Sequence, residues 1–129
     1  MNSVGIDVSK GRSTVAVMRP FGEVVISPFE VRHTNSELSA LARLLKSLDG
    51  ETRVVMEATE NYHTPVAKVL HDARLYVSVV HAKLIHGYGN NDLRRVKTDR
   101  KDAVKPANYG LNRWLTLPRY FPEEIPGSY

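Results

Sequence analysis

Cysteine is absent from the 129-residue chain, so neither a disulfide framework nor a thiolate metal site is available to it. That suits a reducing, cytoplasmic setting. The opening MNSVGIDVSK has no charged leader followed by an apolar core, so no signal peptide is read there. No apolar run approaches the length of a membrane span, which leaves no membrane partner. No internal repeat is visible. What remains is ordinary globular composition, with 42% hydrophobic and 25% charged residues, enough for one domain with a real core.

Charge imbalance is also scarce, except in one place. The net charge is +4. Between positions 83 and 105 stand seven basic residues, Lys83, Arg94, Arg95, Lys97, Arg100, Lys101 and Lys105, against three acids, Asp92, Asp99 and Asp102. That segment carries the whole excess, and the rest of the chain is neutral. A local basic stretch suits a phosphate backbone, and on charge alone a solvated face suits it equally.

Hydrophobic periodicity orders the elements. VGIDVS (4–9) and STVAVMR (13–19) alternate, and EVVISPFEVRH (23–33) is a third strand that Pro28 confines to an edge or a bulge. Short turns between them predict an antiparallel meander. Thr34 and Glu37 form a capping box before a helix whose face is Leu38, Leu41, Leu45 and Leu48. TRVVMEA (52–58) and LYVSVV (75–80) are further strands, separated by a helix expected to start at Pro65 with Thr64 as its cap. A polar, glycine-containing loop is expected next, then a helix carrying KTDRKDA (97–103). The order β-β-β-α-β-α-β predicts an α/β mixed sheet with helices on both faces. Residues 1–114 form the domain, and the proline-punctuated stretch 115–129 is expected to be an extended or disordered tail.

The acids carry the chemistry. Asp7 lies mid-strand in GIDVS, where a charge is costly unless paired. Glu57 ends an apolar strand, and neighbouring first and fourth strands would bring both carboxylates to one spot. Asp99 and Asp102 are three apart, on one face of a helix. Taken singly, the last two suit a helix first turn and an exposed ion pair. Together with strand-borne Asp7 and Glu57 they suit a site for hard divalent cations, Mg²⁺ or Mn²⁺, which prefer oxygen ligands and relieve carboxylate repulsion. Two such ions would clamp the attacking and leaving oxygens of a phosphodiester. His63, His81 and His86 lack metal-binding spacing and are expected to be surface or satisfied histidines. His71 is expected to be exposed, Tyr109 to pack in the core, and Trp114 to leave an apolar patch.

The runs GIDVSK (5–10), VVMEAT followed by NYH (54–63) and VSVVHAKLIHGYGNNDLRRVKTDRKDAVK (77–105) resemble the N-terminal domain of DEDD transposases of the IS-one-ten insertion-sequence type, related to the Piv and MooV invertases. The resemblance runs from about Val4 to Trp114. It implies a RuvC-like, RNase H-type fold and a prokaryotic protein acting at the nucleoid. It also implies metal-binding catalytic acids at Asp7, Glu57, Asp99 and Asp102, and a guide RNA that pairs with target and donor DNA. The segment from Lys83 to Lys105 would supply backbone contacts, which position a nucleic acid without reading it. Family members carry a nucleophilic serine in a second domain and can oligomerise through C-terminal parts. No segment here matches the serine motif, so the chain is expected to be truncated and inactive alone.

Two residues depart from the family pattern. Glu60 stands where glycine is usual, which would strain it if φ were positive. Pro106 stands where an apolar helix former is usual, and a helix begun at Asp99 would be kinked or ended by it. Three other readings are a stand-alone RuvC-like nuclease, a non-catalytic nucleic-acid-binding remnant, and an actin-like ATPase fragment. The last lacks a glycine-rich adenosine motif and gives KTDRKDA no role.

Overall fold

The computed structural model describes residues 1–87 and 102–122. Five strands form one sheet in the order β3-β2-β1-β4-β5. They are β1 (Asn2–Ser9), β2 (Arg12–Arg19), β3 (Glu23–Arg32), β4 (Thr52–Glu57) and β5 (Tyr76–Val80). The first three make the antiparallel meander, and β4 and β5 add in parallel beside β1. Gly11, at φ 76°, makes the tight turn between β1 and β2. β3 is an edge strand, with register shifts against β2, so the N–H that Pro28 lacks is not missed by a central ladder.

Alternation along β1 assigns the two faces. Val4, Ile6 and Val8 join Leu38, Leu41 and Leu45 of α1 (Asn35–Lys46) and Val66 and Leu70 of α2 (His63–Asp72) in the main core. Fully burying each such aliphatic side chain is worth roughly 1.5–3 kcal/mol. Ser3, Gly5 and Asp7 face the other way, toward α4 (Val104–Asn112). There Val55, Val80, Ile85, Tyr109 and Leu117 make a smaller core, so Tyr109 packs inside as expected. Helices thus cover both faces.

The sequence signals hold at α1. The Thr34 hydroxyl accepts the Glu37 N–H at 3.2 Å. The Glu37 carboxylate reaches back to the N–H of Arg32 rather than to its cap residue.

Four local expectations are corrected. α2 starts at His63, with Tyr62 as cap residue and no side-chain cap, so Pro65 is its third residue. A short helix, α3 (Ala82–Gly87), opens the stretch expected to be loop. Glu60 does not have positive φ: the non-glycine residues that do are Phe21 and Arg74, among the described residues. Pro106 is the third residue of α4, not mid-helix. In the first turn its missing N–H would have had no intrahelical partner anyway. Asp102 and Ala103 form a 3₁₀ turn just before it. The rest of KTDRKDA lies outside the described residues.

The chain after α4 lies across β5. The Tyr76 hydroxyl donates to the Leu117 carbonyl at 2.6 Å, and the Tyr120 N–H donates to the Val77 carbonyl at 2.7 Å. The Arg53 guanidinium stacks 4.3 Å from the Tyr76 ring centre and 4.8 Å from that of Trp114. Trp114 is therefore half-buried rather than part of an open apolar patch. His71 is also half-buried, edge-on to Tyr120 and Phe121, which corrects its expected exposure.

Candidate metal centre

The parallel pairing of β1 and β4 sets Ile6 opposite Met56. One residue further, Asp7 and Glu57 come at the C-terminal ends of adjacent strands. Both point to the α4 side, because Gly5 and Val55, two residues earlier, do so. Both are half-buried.

Asp102 approaches them from the turn just before α4. The helix can approach because β1 has no side chain at position 5: a Cβ there would clash with the Ala103 carbonyl and lie 2.5 Å from the Ala107 nitrogen. The buried Ser3 hydroxyl ties α4 down by donating to the Ala107 carbonyl at 2.6 Å. At the far end of the contact, Gly110 leaves room for Ser3 and Val55. Two glycines and one serine therefore hold the turn that carries Asp102.

The electrostatics report the convergence. The Asp7 carboxyl titrates above its ordinary value, first because burial disfavours its charge, then because Asp102 and Glu57 repel it; His86 opposes the shift. His86, on α3, places Nε2 2.7 Å from Glu57 Oε2 and donates to it. Asp7 and Asp102 also line a cavity of about 290 Å³ with Ser9, Arg12, Ser13, Thr14 and Glu30. Arg12 pairs with Glu30 across 3.7 Å in the open, an interaction of little energetic weight.

Asp7, Glu57 and Asp102 are thus drawn to one end of the sheet. Asp99, with Arg94, Arg95, Lys97, Arg100 and Lys101, lies outside the described residues. Lys83 and Lys105 are both exposed, on α3 and α4. Among the described residues no three His, Asp or Glu side chains close around a single point as a finished metal cage. The oxygen-only set of mutually repelling carboxylates nonetheless fits a hard divalent ion, which would relieve the repulsion at Asp7.

Two residues went unread in the sequence. His86 lacks metal-ligand spacing in the sequence, and Arg12 stands in the short stretch between the first two strand runs. His86 meets Glu57 across 29 positions, so no local pattern signals it. His63 is a structural residue. Its Nδ1 accepts the Thr59 N–H at 3.1 Å, while its own N–H donates to the Thr59 hydroxyl at 2.9 Å. Burial lowers its pKa.

Solved structures place the fold. Thermus thermophilus RuvC matches with a TM-score of 0.65 at 13% identity, over 93% of this chain and all of that one. T. thermophilus RuvC in complex with a Holliday junction substrate matches with a TM-score of 0.62 at 14% identity, over 93% and 99%. The chain is therefore an α/β protein with the RuvC-like, RNase H-like fold. No curated protein matches it. The family model for the DEDD transposase of the IS110 type, described as a transposase, matches residues 4–125, and the chain belongs to that family.

Proposed function

We propose that this chain forms the metal- and DNA-binding part of a transposase acting in DNA transposition or site-specific recombination. Asp7, Glu57 and Asp102, completed by Asp99, would hold Mg²⁺ or Mn²⁺, as two ions. The supporting observation is the crowding of Asp7 by Glu57 and Asp102 on one face of the sheet. Burial and like charge at one spot mark a functional site more often than a structural one.

The ions, when bound, would polarise the phosphodiester and stabilise charge on its oxygens. The remaining work falls to the chain itself. Asp7 and Glu57 are fixed by two adjacent strands, so their spacing is set by the sheet. Asp102 is set by the Gly5 and Ser3 contacts. His86 would orient the Glu57 carboxylate through its hydrogen bond. Arg12, which lines the same cavity as Asp7 and Asp102, would meet a non-bridging phosphate oxygen.

The fold relationship to a RuvC that binds a Holliday junction supports DNA as the substrate. A guide RNA lying along the basic segment from Lys83 to Lys105 belongs to the same reading.

Binding of a labelled four-way junction and of linear duplex tests the proposal, with and without Mg²⁺. Junction binding should tighten with the ion in the wild type, and Asp7→Asn should abolish that tightening. Ion-independent binding unchanged by Asp7→Asn would instead support a non-catalytic nucleic-acid-binding protein. The match over the whole RuvC chain favours one second reading, a stand-alone metal-dependent nuclease. Nicking of the junction, lost in Asp7→Asn, would establish it.

A further inference from the structure

The end of the sheet opposite the carboxylates holds a second cavity. It is about 310 Å³ and is lined by Leu45, Lys46, Thr52, Arg74, Tyr76 and Arg119 among others. Thr52 and Glu57 bound β4, so this cavity and the carboxylates are separated by roughly 17 Å, at about 3.3 Å per residue. The three cations come from three separate places: the last turn of α1, the second residue past the end of α2, and the strap over β5. All three are exposed, and none is in an ion pair among the described residues.

Arg74 is the informative one. It has φ 70°. Its N–H bonds the His71 carbonyl, and the Leu75 N–H bonds that of Leu70. That pattern is a Schellman ending, in which glycine is the usual residue at the left-handed position. An arginine in that backbone region gives up roughly 1 kcal/mol relative to glycine. Cations at helix C-termini do offset the negative ends of α1 and α2, each equivalent to about half a charge. Three cations exceed that by about two. Arg119 is on neither helix, and its guanidinium carbon lies 5.2 Å from the Tyr76 ring centre and 5.7 Å from that of Phe121. Its N–H groups have no hydrogen-bond or ion-pair partner among the described residues.

We infer that Lys46, Arg74 and Arg119 form a phosphate-binding site, distinct from the carboxylate end, that grips the backbone of a nucleic-acid strand. Its open rim and its three separately mounted cations suit successive phosphates of a polyanion. The chemistry is shared with free phosphate, and the two sources are separable by experiment. The inference does not rest on the metal reading, so Asp7→Asn leaves this contact intact.

The test uses the full chain and three probes: a 20-nucleotide single strand of DNA, the same sequence in RNA, and inorganic phosphate as competitor. At about 0.1 M salt, Arg74→Gly should weaken strand binding on the order of fivefold. It should also make the slope of log affinity against log salt shallower by about 0.7, the loss of one phosphate contact. Lys46→Gln, on another element, should do the same, and Arg32→Gln on the far edge strand should do neither. Because glycine suits the left-handed position, Arg74→Gly should melt no lower than wild type, which removes misfolding as an explanation. Wild-type affinity in Arg74→Gly or in Lys46→Gln overturns the inference, as does an equal loss in Arg32→Gln. Loss of phosphate competition without loss of strand binding would make this a small-anion site and overturn the strand assignment.

Discussion

Asp7 is charged against its surroundings, and the consequence is a signed pH dependence. Its folded pKa is raised above the ordinary 3.8. The folded state therefore holds that proton more tightly than the unfolded state does. The stabilisation is full below pH 3.8 and is lost as pH rises through the folded value. At neutral pH Asp7 therefore works against folding in metal-free protein. Asp7→Asn should therefore melt higher than wild type at pH 7 without divalent ions, and the difference should shrink below pH 3.8 in a thermal scan. His33 and His63 run the other way. Burial lowers both from 6.5, so their contribution is present above pH 6.5 and is lost as pH falls below it. His33→Gln combined with His63→Gln should flatten the fall in melting temperature between pH 7 and pH 5.

At the scale of elements, the contact between β1 and α4 decides where Asp102 stands. Gly5→Ala would drive a methyl group into the backbone of Ala103 and Ala107. Overpacking of this kind costs about 1–3 kcal/mol, and the helix can relieve it only by moving away with Asp102. Gly5→Ala should therefore lower the melting temperature and weaken Mn²⁺ binding together. A surface change such as Lys68→Gln should do neither. The strands, the α1 cap and the edge position of β3 were legible, because alternation, a Thr-x-x-Glu box and a strand proline are local signals. The start of α2 was not, because Thr59 and His63 bond each other across the turn and extend the helix backward past Thr64 and Pro65. α3 has six residues, too few to show a period. Pro106 was misread because the position of a proline in a helix depends on where the helix begins. The Glu57–His86 pair, made only by folding, could not be read from spacing at all.

In the whole molecule, one end of the sheet collects carboxylates and the other collects cations and a strap. The strap is held by the Tyr76 hydroxyl on Leu117, by Arg53 between Tyr76 and Trp114, and by a donor bond from Arg53 to the Trp114 carbonyl. It covers the edge of β5 that would otherwise be open to pairing with another chain. Tyr76→Phe removes a single hydroxyl bond and should lower stability by about 1 kcal/mol in denaturant titration. The carboxylate end is the part on which function turns, and Mn²⁺ titration by calorimetry on the wild type, Asp7→Asn and Glu57→Gln probes it directly. A shared metal site requires saturable binding in the wild type, weakened at least tenfold by each substitution, with the wild-type melting temperature rising as the ion is added. Equal Mn²⁺ affinity in all three proteins, or no saturable binding in the wild type, would contradict it.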